Sequence, residues 1–151
     1  VYHVCRGSVL ELEGKKYLCF GGAESPDREE REPGFNWWPQ EMPSEEEYAN
    51  AEQNLGATDW QVDYIITHTL PSESAAYLAS MHRRTIKAAV PEEWPLNAFL
   101  DGIQSRTDYK HWYCGHFHAD NELWRGQTVL FNTIRELESG KIVRQWEPYE
   151  G

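Results

Sequence analysis

Three of the six histidines sit where imidazoles could work together. His116 and His118 flank a single residue in Gly115-His116-Phe117-His118, and the run 110–117 reads as a strand that ends there. At a spacing of two, both rings on a strand point to the same side. Gly115 removes a side chain where something has to approach closely. His68 closes a different run, VDYIIT at 62–67, and leads into Thr69-Leu70-Pro71. The short β-branched run is that of a strand buried on both faces, and ends of such strands are where α/β-type folds place ligands and catalytic groups. Three neutral imidazoles converging there make a donor set for a divalent metal ion. The competing reading is three ordinary strand-end histidines, and Gly-His-x-His alone does not decide between the two. His3, His82 and His111 have no comparable context.

Two further groups carry weaker signals. Arg28 and Arg31 stand three apart in a long polar segment and could reach a substrate phosphate with their guanidinium forks. Asp27, Glu29 and Glu30 beside them offer the plainer fate of surface ion pairs. Trp37 and Trp38 could stack on a base or an aromatic leaving group, or anchor their loop onto the core. Cys114 is most simply a small core residue, and Glu45–Glu47 a solvated helix start.

The elements that must position these residues follow from periodicity and punctuation. Residues 4–20 read as a hairpin turning at Glu13-Gly14, with Leu10 and Leu12 alternating with Glu11 and Glu13. That turn puts Ser8 opposite Cys19 and leaves Cys5 three residues out of register, roughly 10 Å along the strand and too far for a disulfide. Gly21-Gly22 breaks the pattern, and the polar stretch from Ala23 to Pro43 has no clear period; connections of that length tend to be functional or disordered, and the adjacent Trp37 and Trp38 argue against disorder. Ser44 with Glu47 is a capping box that starts a helix, with Gly56 as its stop. After the His68 strand come a helix over 72–82, a proline-punctuated connection, and a helix over about 95–106. TVLFNTIREL and IVRQWEP then form a hairpin turning at Glu138-Ser139-Gly140-Lys141. Strands, helix, strand, helices and a final run of strands predict a mixed α+β or α/β sandwich in one domain.

Composition sets outer bounds. The chain has 151 residues, 40% hydrophobic and 13% aromatic, enough for a real core. Its net charge of -11, from 25 acidic and 14 basic residues, disfavours stable nucleic-acid binding by counterion release. A phosphate substrate is still permitted, because bound cations invert the local field. Three cysteines without a CxxC pair read as free thiols in a reducing, cytoplasmic compartment. No apolar run approaches the ~20 residues of a membrane helix.

DYIITHTLP followed by YCGHFHAD resembles the last two sequence blocks of the calcineurin-like metallophosphoesterases. The stretch FGGAESPDREEREPGFNWWPQEMPSEEEY is similar to a segment of a microbial and phage-associated subgroup. The resemblance implies the C-terminal half of a four-layer α/β/β/α sandwich. It implies two divalent ions (Mn, Fe, Zn or Ni), with His68 and His116 on one and His118 on the other. In that family a hydroxide bridging the metals attacks phosphorus in line, and the substrate is a phosphomonoester, phosphodiester or nucleotide. The family's DxH, GDxxD and GNH(D/E) blocks do not occur in this sequence. The chain alone is therefore expected to be inactive, and to pair with a missing N-terminal half or with itself. Two other readings stay open: a non-catalytic binding or assembly module using the tryptophan-rich loop, and a single-metal structural site with a fourth closed ligand.

Overall fold

The computed structural model describes residues 1, 3–25, 27–82 and 93–146. The proline-punctuated connection at 83–92 and the last residues of the C-terminal strand, 147–148, lie outside them. The hairpin forms as β1 (Ser8–Leu12) and β2 (Lys15–Phe20), antiparallel, with Ser8 opposite Cys19. Glu13 and Gly14 take the positive φ values, 51° and 73°, that so tight a turn requires. All three cysteines are free.

Helix α1 (Glu45–Gly56) starts at the capping box. The Ser44 hydroxyl accepts the Glu47 N–H at 3.3 Å, and the Glu47 carboxylate accepts the Ser44 N–H at 2.9 Å. Strand β3 (Tyr64–Thr67), helices α2 (Ser72–Met81) and α3 (Trp94–Arg106), and strand β4 (His111–Cys114) follow. Then come β5 (Asn121–Leu123), β6 (Gln127–Val129), β7 (Thr133–Arg135) and β8 (Ile142–Gln145).

The fold is mixed α/β: a six-strand sheet ordered β1-β2-β3-β4-β6-β5, three helices, and the separate β7–β8 ribbon. The four inner strands run parallel, and the two edges are antiparallel. Lateral register puts Leu18, Ile65 and Trp112 in one row, and this row meets Leu55 of α1 with Leu100 and Ile103 of α3. All six are 1% exposed or less, each contributing roughly 1.5–3 kcal/mol through burial. Helix α2 covers the far end of the same face through Leu78, against Cys114 and Val129.

The opposite face carries a ladder of tyrosines. Tyr17 stacks on Tyr64 at 5.3 Å, and Tyr64 lies 6.5 Å from Tyr113. The ribbon reaches over part of this face: the Tyr113 hydroxyl donates to the Leu137 carbonyl at 2.8 Å, and Lys15 pairs with Glu138 at 2.8 Å. Ile66 on this face is 40% exposed, so β3 is sealed on its helical side and only partly on the other. The apolar run predicted a strand buried on both faces; a run of β-branched residues does not reveal which side lacks a covering layer.

Two strand boundaries also differ from the sequence expectation. The strand predicted over 110–117 stops at Cys114, because the backbone at His116 and His118 turns left-handed, with φ of 68° and 49°. TVLFNTIREL is not one strand. It breaks between β6 and β7, where the Asp120 carboxylate takes the N–H groups of Phe131 and Asn132 and the Thr133 hydroxyl.

Candidate functional site

His68 follows the last residue of β3, and His116 follows β4 by one glycine. The two strands are parallel neighbours, so their ends emerge side by side. The ladder continues one step beyond β4, where the Gly115 N–H donates to the His68 carbonyl at 3.1 Å. The His68 and His116 ring centroids are consequently 5.2 Å apart in an edge-on arrangement. Two imidazoles held at about 2.0–2.1 Å by one ion place their ring centres roughly 5 Å apart, so this pair has the spacing of two ligands on one metal.

His116 sits in a tight bend. The Phe117 N–H donates back to the Gly115 carbonyl at 2.8 Å across a residue with φ of 68°. An i to i+2 bond with positive φ is a γ-turn of the rare, strained hand. Strain of this kind persists only where the surroundings hold it, and it concentrates at functional sites. A Cβ on Gly115 would meet His68 Nδ1 and the Leu130 carbonyl at an ordinary 3.8 Å. Within this chain, then, the glycine is not forced by crowding, contrary to the close approach read from the sequence.

His118 does not join the other two rings face to face. It stacks on Phe131 at 4.8 Å and 18° between planes, and it stays within electrostatic reach of both His68 and His116. The rings of His116 and His118 are placed by successive left-handed bends, not by the alternation of a strand. Asp120 holds the 131–133 segment and thereby holds Phe131 against His118.

Two carboxylates absent from the sequence reading complete the surroundings. Glu93, immediately before α3, is buried, and its Oε2 lies 3.9 Å from His116 Nε2. Glu41 lies within electrostatic reach of His68 and His116. It accepts the Trp37 indole N–H at 2.7 Å, the Ser25 N–H at 3.2 Å and the Ser25 hydroxyl. Glu93 fell at the end of a proline-punctuated connection, and Glu41 in a polar loop without period, so neither stood out in the sequence.

The electrostatics favour neutral imidazoles. Desolvation lowers the pKa of His68, although its ring keeps exposed surface, and the neighbouring His116 lowers it further. Desolvation lowers that of His116 as well, followed by His118. Neutral imidazole is the form that donates a lone pair to a metal. Burial raises the Glu93 pKa, and the Cys114 thiol is pushed well above its ordinary range by burial, as befits a core residue.

The long loop is pinned down over this site. Arg6 donates to the carbonyls of Gln40 at 2.6 Å and Glu41 at 3.2 Å, and pairs with Glu47 at 2.9 Å. Arg28 pairs with the buried Glu24 at 2.9 Å and lies 4.5 Å above the Trp37 ring. Arg31 pairs with Asp27 at 2.7 Å and donates to the Asn36 carbonyl at 3.2 Å. Both guanidinium groups are thus engaged within the loop. Trp37 is buried as its anchor, while Trp38 and Phe35 are exposed.

Against the donor requirement of two divalent ions, the described residues fall short. Among them no group of three or more His, Cys, Asp or Glu side chains is disposed to hold a metal ion. No helix of the described residues is long and apolar enough to cross a membrane. No family model, curated protein or solved structure matches the chain.

Proposed function

We propose that this chain is the C-terminal portion of a calcineurin-like metallophosphoesterase domain. In this reading His68, His116 and His118 are its contribution to a two-metal centre that hydrolyses phosphomonoesters, phosphodiesters or nucleotides. The meeting of His68 and His116, carried to one spot by the ends of parallel neighbouring strands, is the observation that carries it. The strained bend at His116 and the neutral state favoured for both rings support the same assignment. The bridging carboxylate and the remaining ligands would come from a segment bearing the DxH, GDxxD and GNH(D/E) blocks, which this sequence does not contain.

The six-strand sheet and its helices would then be two layers of an α/β/β/α sandwich. A second sheet would pack on the face bearing Tyr17, Tyr64, Ile66 and Tyr113, and without it a second copy of the chain would cover that face. The free cysteines fit a cytoplasmic setting.

The test compares two proteins for Mn²⁺-dependent hydrolysis of bis(p-nitrophenyl) phosphate: the 151-residue chain, and the same chain with its native upstream sequence. The longer protein should turn over and lose activity on His116→Ala, with the chain alone at background. Hydrolysis by neither protein contradicts the phosphoesterase reading. Turnover by the chain alone contradicts the incomplete centre.

A further inference from the structure

We propose that Glu93 is a positioning residue for His116: its buried carboxylate takes the Nε2–H of the imidazole and fixes the ring with Nδ1 free to bind a ligand. Glu93 is 2% exposed, and its Oε2 lies 3.9 Å from His116 Nε2. Its other oxygen, Oε1, has no hydrogen-bond partner there. A buried carboxylate is costly unless it is engaged. Asn97 lies one helical turn further along α3, on the same side as Glu93, and donates Nδ2 to the Leu70 carbonyl at 2.8 Å. That bond ties the start of α3 to the segment just after His68. Burial raises the Glu93 pKa, and the Thr69 and Asn97 side chains and the Glu24 N–H oppose that shift without reversing it.

The 3.9 Å separation is longer than a hydrogen bond. Rotation of the two side chains about their own torsions closes that gap in the ligand-free chain. Imidazoles that bind metals ordinarily hand their second N–H to a carboxylate or carbonyl, which sets tautomer and ring orientation. The γ-turn fixes the His116 backbone, so rotation of the ring is the freedom left for Glu93 to remove. The purpose of this arrangement rests on the metallophosphoesterase reading; the tautomer does not.

Nitrogen-detected NMR of the histidine rings in the metal-free chain tests it, at about pH 8, where an imidazole is neutral. His116 should be in the Nε2–H form, with that proton slow to exchange. In Glu93→Leu the proton signal should vanish into exchange while the amide spectrum stays that of a folded chain. Glu93→Gln, which keeps one acceptor oxygen, should retain it. An Nδ1–H tautomer in the wild-type chain overturns the proposal whether or not the leucine variant folds, as do unchanged ring signals in folded Glu93→Leu. Added Zn²⁺ should shift Nδ1 of His116; a shift at Nε2 overturns the proposal. Protected Nε2–H with no response to Zn²⁺ upholds the Glu93 contact and contradicts the metal reading.

Discussion

Replacing His116 by glycine and, separately, by alanine measures the strain held at the centre of the candidate site. At an ordinary position the glycine variant is the less stable by roughly 0.5–1 kcal/mol, because its unfolded chain has more freedom to lose. At His116 the order should reverse. Its φ is 68°, inside a turn closed by the 2.8 Å bond from Phe117 N–H to the Gly115 carbonyl. A side chain in left-handed backbone costs about 1–2 kcal/mol, and the γ-turn puts the strain in the range of about 1–3 kcal/mol. Subtracting the entropy term leaves glycine ahead of alanine by about 1 kcal/mol. Both variants lose the ring contacts to His68 and Phe117, so the comparison isolates the backbone. The assay is urea unfolding. With a denaturant slope of about 2 kcal/mol/M, the glycine midpoint should lie roughly 0.5 M above that of alanine. Equal midpoints, or a higher one for alanine, would refute the claim that this backbone is strained.

Asp120→Ala removes the acceptor of the Phe131 and Asn132 amides, at 3.0 and 2.8 Å, and of the Thr133 hydroxyl. With part of that backbone open to water, the loss should be about 2 kcal/mol, alongside a changed ring-current shift of His118 on Phe131; a loss under about 0.5 kcal/mol, or an unmoved His118 signal, contradicts it. Burial raises the pKa of Glu47, but the bonds from Ser44 and Arg6 outweigh burial and leave it lowered. A lowered folded pKa adds stability above the unfolded value near ~4.3, and that stability is lost as pH falls through the folded one. Glu47→Gln should therefore cost about 0.5 kcal/mol at about pH 7, solvent screening keeping the half-buried pair small, and the cost should shrink as pH falls through the folded pKa. A pH-independent penalty contradicts the charged capping box.

What the sequence reveals is what local rules control. The β1–β2 register follows from the Glu13-Gly14 turn, and the start of α1 from Ser44 and Glu47. That His68 and His116 both stand at strand ends was legible, whereas the parallel pairing that sets them side by side is a fact of the sheet. The conformation at His116 and His118 was not: a spacing of two fits a strand, and nothing in the residue types announces positive φ at two histidines. Glu93 escaped for another reason. Its burial is created by α3 settling against the segment after His68, which is a tertiary fact. The break between β6 and β7 depends on Asp120, distant enough along the chain that no periodicity points to it.

The central claim is that His68, His116 and His118 are metal ligands, and substoichiometric Mn²⁺ tests it through paramagnetic broadening of histidine ring signals in the full 151-residue chain. His111, bonded to the Thr128 hydroxyl at 2.8 Å, and His82, at 2.8 Å from Asn121 Oδ1, serve as internal controls. The account predicts that the rings of His68, His116 and His118 broaden first while the controls stay sharp, and that His116→Ala abolishes the effect at His68. Broadening of all six rings alike, or rings of His68 and His116 that remain sharp, would contradict it.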